Sequence, residues 1–444
     1  MSILWRADEL AAALNVAQAW DISGISIDTR TLQPGDLFVA LQGERDGHEF
    51  VQAAFAKGAA AALVSRRIEG NAILVPDTLQ ALARLGAAAR ARAAAKIVAV
   101  TGSVGKTTAK EMLRRILSAF GPVHAAEASF NNHIGVPLTL ARMPRHAGFG
   151  VFEIGMNHPG EIAPLAALVR PHVAIITCVD RAHLGLMGSE EAIAVEKASI
   201  YRALELGGTA VMPEDTAFLP ILRAAVPAGR RQMVFGRGQI LYRNDWAEGA
   251  DITALVAGVE VSFSLAAPGG HMANNALAVL SAAAALGLDV RQAAAALSGF
   301  APYAGRGARR MVRLPSGAAV NLLDESYNAS RASMIAALSV LGLQPGRHVA
   351  VLGDMLELGE HAAEEHVSLR AEVERYADLV FTAGPHCRIL FDSLSPAKQG
   401  AHAESAAALA PLVLAALKAG DAVLVKGSYG SRMRDVISAL ESPG

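Results

Sequence analysis

The sequence predicts an α/β protein of three units built around mostly parallel sheets. Three observations carry that prediction. An apolar, β-branched run at Val98–Val100 feeds Thr101-Gly-Ser-Val-Gly-Lys-Thr-Thr108 and then an amphipathic stretch over 109–117, which is the order strand, glycine-rich turn, helix. Apolar runs recur at Gly150–Ile154, Val173–Val179 and Thr209–Met212 with helical stretches between them, and such alternation builds a mostly parallel sheet covered on both faces. The same alternation restarts beyond Pro302-Tyr-Ala-Gly-Arg306. At 444 residues the chain has room for roughly two to four domains.

In chain order, residues 1–95 form the first unit. Strands are expected at Ile22–Asp28, Leu37–Ala40, Ala62–Val64 and Ala72–Val75 between Gly/Pro turns, closed by an Ala/Arg-rich helix over 79–95. Residues 96–304 form the central unit, opened by the glycine-rich turn. Residues 305–444 form the third, with strands at Ala319–Leu323, His348–Leu352, Leu379–Thr382 and Ala422–Val425. Its helices fall at Ser330–Leu341, Ala362–Arg375, Ser405–Lys418 and Ser431–Leu440, a Rossmann-like alternation.

Composition excludes several function classes. Hydrophobic residues make up 52% of the chain and mean hydropathy is +0.32. Yet the longest apolar runs, Ala406–Leu417 and Asn275–Leu288, are too short or too interrupted to span a bilayer, and are expected as buried Ala-rich helices with no membrane insertion. The start, Met1-Ser-Ile-Leu-Trp-Arg, has no basic region followed by an apolar core, so a cytoplasmic protein is expected. Two cysteines, Cys178 and Cys387, are too few for a disulfide framework or a Cys-based metal site. A net charge of −1 gives no electrostatic case for nucleic acid.

The turn at 101–108 carries the strongest chemical signal. Its glycines let backbone N–H groups approach a polyphosphate, and the following helix adds the positive end of its dipole. Lys106 can reach the terminal phosphates of ATP and Thr107 can hold Mg²⁺. The turn is shorter than the usual phosphate loop: the position five before Gly105 is Val100, where a glycine is the rule. The run Glu127–Pro137, with Asn131 and Asn132, reads as a loop. Glu153 ends a strand, where an acidic group would face a ligand beyond the carboxyl edge of the sheet and hold Mg²⁺. His183 lies just past the end of the next strand. Lys197, on an amphipathic helix, reads from composition alone as solvent-facing.

These motifs together resemble the Mur ligases, the ATP-dependent amide ligases of peptidoglycan precursor synthesis. The short Thr-Gly-x-x-Gly-Lys-Thr loop matches that family's variant. So do Ser129–Thr139, Glu153–Glu161, Asp324-Glu-Ser-Tyr-Asn-Ala329 and Leu352–Gly359, and the resemblance runs from about Ser26 to Arg434. It implies a UDP-binding first domain, a central ATPase domain and a Rossmann-like last domain. In the first, Asp28, Thr29, Arg30, Gly47 and His48 would contact the uridine nucleotide. In the second, Thr101 to Thr108 would cradle ATP, with Lys106 on its γ-phosphate. Thr107 and Glu153 would ligate one Mg²⁺, and His183 with a carbamylated Lys197 a second. Asn131 and Asn132 would lie by the substrate and Asn275 by adenine. Arg306 would reach the phosphates from the third domain, Asp324, Tyr327 and Asn328 would flank ribose and base, and Lys426 and Ser428 would lie near the incoming amine.

The implied activity joins D-Ala-D-Ala to UDP-MurNAc-tripeptide through an acyl phosphate, in a monomer whose third domain closes about a hinge near Ala301–Gly305. Asp324–Ala329 favours that reaction over an earlier ligase of the pathway or a folylpolyglutamate synthase. A nucleotide switch would lack His183, Lys197 and the third unit, and intact Lys106 and Glu153 argue against a silent scaffold. Three positions depart from the family pattern: Gly185 where an acid is expected, Met272 where an Asn is frequent, and Arg331 where a Pro usually stands.

Overall fold

The structure is a computed structural model and describes residues 3–127 and 129–441. Met1 and Ser2, where the reading of the N-terminus begins, Ala128, inside the 127–137 loop, and residues 442–444, at the end of the third unit, lie outside the described residues.

The first unit holds a four-stranded parallel sheet whose strands, Gly24–Ser26, Asp36–Val39, Ala61–Val64 and Ala72–Leu74, lie side by side in chain order. Its helix starts at Thr78 because the Asp77 carboxylate accepts from the N–H groups of Leu79 and Gln80, and it stops at Arg92 rather than running to Ala95. Leu82, Leu85 and Ala89 on this helix join Leu37, Val39 and Leu63 of the sheet in one core. The Trp5 indole N–H donates to the Ala141 carbonyl at 2.9 Å, tying the first unit to the second.

The central sheet has six parallel strands in the spatial order Arg231–Phe235, Thr209–Pro213, Val173–Ile176, Lys96–Thr101, Phe149–Glu153, Val123–Ala125. The chain leaves strand Lys96–Thr101 toward one edge, returns to its side at Phe149–Glu153, then crosses to its other side at Val173–Ile176. That reversal opens a crevice at the carboxyl ends of these three strands, the usual ligand position in such sheets. Register sets Val100 beside Glu153 and Thr101 beside Ile176, so the phosphate loop, Glu153 and the 177–183 segment emerge at one edge.

A second sheet was not read from the sequence. Strands Ile240–Trp246, Gly249–Val256 and Val259–Leu265 form an antiparallel meander packed beside the buried helix Gly270–Ala285. One face of the middle strand is buried and the other is not, so it alternates rather than forming the continuous apolar runs expected of a parallel sheet. Asn275–Ala285 lies within the buried helix Gly270–Ala285, whereas the helix Ala406–Ala416 is buried on one face only and exposes Leu412 on the other; no helix among the described residues is long and apolar enough to cross a membrane.

The third unit is a six-stranded sheet in the order Ala308–Arg313, Ala319–Glu325, Ala422–Lys426, His348–Gly353, Leu379–Ala383, Gln399–Ala403. Only the Ala308–Arg313 edge strand is antiparallel. Both edge strands and the helix Pro385–Ser393 escaped the sequence reading, since edges are part-exposed and short of β-branched residues. The expected helix at Ala362–Arg375 is two, Ala362–Val367 and Arg370–Tyr376.

Candidate active site

The phosphate loop bends where its glycines permit. Gly102 and Gly105 have φ of 149° and 86°, in the region L side chains avoid, and neither has room for a Cβ: one at Gly102 would lie 1.9 Å from the Thr177 hydroxyl, one at Gly105 2.6 Å from Asn275 Oδ1. The loop is anchored from the neighbouring strand. The Thr177 hydroxyl donates to the Val104 carbonyl at 2.5 Å, and Ser103 Oγ donates to the Asp180 carbonyl at 2.9 Å. Helix Lys106–Ser118 begins at once, so its first turn aims at the space the loop encloses.

Lys106 Nζ folds back onto the loop and donates to the Gly102 carbonyl at 2.7 Å. Burial pushes its ammonium below the ordinary lysine value while the Glu153 carboxylate pulls the other way. The Thr107 hydroxyl donates to Glu153 Oε2 and the Asn131 amide to Oε1, both at 2.8 Å, so a carboxylate only 2% exposed is held from two sides. A hydroxyl and a carboxylate side by side are hard oxygen donors, the kind Mg²⁺ prefers. Asn132 plays a different part: its side-chain oxygen accepts from the N–H groups of Ile134 and Gly135 and starts the helix Gly135–Ala141, so the end of the 127–137 loop is helical.

Lys197 is 1% exposed, not solvent-facing. Its helix is capped by Ser189, whose Oγ accepts from the Ala192 N–H. It is locked in place by Glu196, which accepts from the N–H groups of Gly160 and Ile162 at 2.8 Å each. Glu196 is therefore spent, and among the described residues Lys197 Nζ has no hydrogen-bond or ion-pair partner. Burial, then repulsion from Lys106, pushes its pKa down to about 7. Two more polar atoms around this crevice, Thr101 Oγ1 and Asp180 Oδ2, are buried without a partner. Burial raises the Asp180 carboxyl above its ordinary value. Unpaired buried polar atoms are costly, and a bound ligand could partner these two.

The third unit reaches the same crevice. His183 Nδ1 meets Glu357 Oε2 at 2.5 Å. The Arg306 guanidinium lies 4.0 Å from the centre of the Tyr327 ring, donates to Ser129 Oγ at 3.3 Å and is close enough to repel the Lys106 ammonium. Lys426, 2% exposed, donates to the Asn328 carbonyl at 2.8 Å and lies 3.6 Å from Glu325. The Asp324 carboxylate is taken by Ser326 on one oxygen and Arg310 on the other, and Ser428 Oγ accepts from the Leu356 N–H.

Profiles of the Mur ligase family match most of the chain: the "Mur ligase family, catalytic domain" over residues 21–120, the "Mur ligase middle domain" over 100–283 and the "Mur ligase, glutamate ligase domain" over 309–429. A Synechocystis protein named UDP-N-acetylmuramoyl-tripeptide–D-alanyl-D-alanine ligase is 37% identical, covering 97% of this chain and 94% of its own. The chain belongs to the Mur ligase family. A crystal structure of MurF from Acinetobacter baumannii superposes with a TM-score of 0.88 at 31% identity, covering 98% of each chain. MurF ligase from Thermotoga maritima in complex with ADP does so with a TM-score of 0.81 at 27% identity, covering 94% of this chain and 97% of that one.

Against the Mur ligase pattern, the departures have local causes. Met272 is buried in the core beside the three-stranded sheet. Arg331 holds the first position of helix Arg331–Leu341, where a Pro is tolerated, and donates to Ser368 Oγ at 2.8 Å. Gly185 sits against the backbone of Leu358 and Gly359. The first-unit residues make their contacts within their own unit. Arg30 pairs with Asp28 at 2.6 Å, Lys57 donates to the Thr29 carbonyl, and Gly47 starts a turn against Leu41. The buried His48 ring is used at both nitrogens, by Asp46 and by the Ser65 N–H. Sequence reasoning assigned no role to Glu357, Arg181 or Glu365. Glu357 stands in the quoted Leu352–Gly359 motif, and its partner across the crevice was the missing information.

Proposed function

We propose that this chain is an ATP-dependent ligase joining D-alanyl-D-alanine to UDP-N-acetylmuramoyl-tripeptide, giving the UDP-MurNAc-pentapeptide of peptidoglycan synthesis. The observation that carries the reading is the crevice where Lys106, the Thr107–Glu153 pair and the unpartnered amine of Lys197 meet in a member of the Mur ligase family. Its relatives named for that reaction span nearly the whole chain.

The terminal carboxylate of the tripeptide attacks the γ-phosphorus of ATP, and the bond to the β-phosphate oxygen breaks, giving acyl phosphate and ADP. The amine of D-Ala-D-Ala then attacks the acyl carbon. A C–N bond forms, the C–O bond to phosphate breaks, and the amine proton leaves. Phosphoryl transfer asks chiefly for positioning and charge neutralisation. Lys106 gives up its hold on the Gly102 carbonyl to neutralise the γ-phosphate, while N–H groups of residues 102–108 cradle the chain of phosphates. Asn275, beside Gly105, lies by adenine, and Arg306 brings a second cation from the third unit. Asp324, Tyr327 and Asn328 flank the nucleoside, Lys426 and Ser428 the incoming dipeptide, and Asn131 and Asn132 the acceptor. Asp28, Thr29, Arg30, Gly47 and His48 form the uridine end, His48 by shaping the turn.

Thr107 and Glu153 would hold one Mg²⁺, and His183 with a carbamylated Lys197 a second, supplying charge neutralisation at the phosphates. An amine is a poor ligand for a hard cation, but a carbamate offers oxygens. With its pKa near 7, Lys197 has the neutral form that attacks CO₂: the N–C bond forms and one proton leaves. Acyl phosphates hydrolyse, so the third unit closes over them, hinged near Ala301–Gly305. The reading takes the chain as a monomer. Use of ATP supports a place in the cytoplasm.

The test is phosphate release from ATP with UDP-MurNAc-tripeptide, with and without D-Ala-D-Ala. Release requiring both, with pentapeptide product, is expected. Release with a different amino substrate moves the chain to another branch of the family, and no release under any combination overturns the reading.

A further inference from the structure

Two turns from different units meet at the rim of the crevice, and both are conformationally unusual. His183 has φ of 65° and Glu357 φ of 64°, left-handed backbone that residues other than glycine seldom adopt. Such strain persists where the surroundings hold it in place, and it collects at functional sites. Here each turn holds the other. The Gly185 N–H donates to the Glu357 carbonyl at 3.0 Å, and His183 Nδ1 lies 2.5 Å from Glu357 Oε2. The approach depends on Gly185. A Cβ there would sit 2.5 Å from the Gly359 nitrogen and 2.8 Å from the Leu358 carbonyl carbon, so the acid that the family pattern expects at this position has no space. A few residues away Arg181 spans the same seam, 2.6 Å from Glu190 of the central unit and 2.5 Å from the buried Glu365 of the third.

We propose that Glu357 is a positioning residue for His183, supplied by the third unit, so that the imidazole is set for its task only when the two turns are seated. The chemistry follows from the groups. An ionised carboxylate can only accept, so Nδ1 must carry the proton, and the neutral ring then keeps its lone pair on Nε2. Among the described residues Nε2 has no partner. A carboxylate behind one nitrogen is the arrangement that orients a histidine whose other nitrogen binds a metal, and loss of such a partner typically costs about 10- to 100-fold in affinity or activity. The proposal rests on the ligase reading for His183. It adds that the docked turn of the third unit, seated before any ligand binds, is what completes the histidine.

The test combines a spectrum and kinetics. In the ligand-free chain with ¹⁵N-labelled histidine, the ring signals of His183, identified by their absence in His183→Gln, are expected to be those of the Nδ1–H form. In Glu357→Ala they shift toward the Nε2–H form that free imidazole side chains favour. Glu357→Ala is expected to lower kcat about 10- to 100-fold with KM for the UDP substrate within about twofold. Glu357→Gln, whose amide oxygen still accepts, is expected to retain most of the wild-type kcat. Arg181→Ala, which removes a contact to Glu365 without touching the His183–Glu357 pair, should leave the His183 signals unchanged. Wild-type His183 in the Nε2–H form, or equal losses of kcat in Glu357→Ala and Arg181→Ala with unaltered ring signals, would overturn the proposal. Should the wild-type chain form no pentapeptide, the ligase reading fails, while the ligand-free spectrum still decides the Glu357–His183 pairing.

Discussion

The phosphate crevice of the central unit and the turns of the first unit both carry charged residues, but they treat them in opposite ways. In the crevice the polar groups are buried and under-partnered: Lys197 has no partner among the described residues, and Thr101 Oγ1 and Asp180 Oδ2 are orphaned. In the turns at 28–30 and 47–48 of the first unit they are self-satisfied. Arg30, whose side chain is 87% exposed, is spent on Asp28, and His48 is filled from both sides. Burial without partners costs stability, and a chain tolerates it where a ligand is to supply the missing partners. Exposed, paired charges cost little, and they release each other cheaply when a ligand arrives.

The largest effect should come from the group on which the crevice centres. Lys106→Met removes the cation facing the γ-phosphate, and kcat is expected to fall by about a thousandfold in a coupled phosphate-release assay, the scale seen when a donor to developing charge is lost. A smaller loss would mean that Arg306 can replace it, which would narrow the contrast between the two regions.

Lys197→Met comes next, with kcat reduced by about a hundredfold or more, as for loss of an electrostatic ligand. It has a second signature that needs no substrate. The amine titrates near 7 in the folded chain against an ordinary 10.5, so between those values the unfolded chain holds a proton that the folded chain does not. Folding stability therefore rises with pH across that window, and below about pH 7 the full cost of burying the ammonium is felt. Urea midpoints measured in CO₂-free buffer should climb from pH 7 to 10 in the wild type, and climb less in Lys197→Met. Equal slopes would show that Lys197 is solvated, and the contrast between the two regions would lose its main support.

Asn131→Ala tests whether Glu153 needs holding. It removes one of two donors to that carboxylate, and about a tenfold loss in kcat is expected, with the other donor, Thr107, still in place.

How far the sequence foretold these regions follows the same division. The strand, loop and helix at 96–118 were legible because local chemistry decides them: β-branched residues, glycines at positive φ, then an amphipathic stretch. Lys197 was not, because its own helix is amphipathic and only tertiary packing, through Glu196 on Gly160 and Ile162, turns it inward. The meander at 240–265 was missed because its alternation is broken by exposed Leu241 and Tyr242. Glu357 stood in a noted motif, yet its pairing with His183 depends on how two units dock, which no single stretch of sequence encodes.

The smallest effect is expected in the first unit, and it sharpens the comparison most. Arg30 is exposed and its one ion pair is local, within a turn held by backbone bonds from Thr31 and Leu32 to the Asp28 carbonyl. Arg30→Ala should therefore leave the urea midpoint unchanged, since an exposed pair of this kind contributes little to stability. If the turn binds the uridine nucleotide, KM for UDP-MurNAc-tripeptide should rise by about tenfold with kcat untouched, the mark of a group that binds substrate and transition state alike. A fall in kcat instead would tie this turn to the chemistry of the crevice and erase the division between a region that binds and a region that reacts.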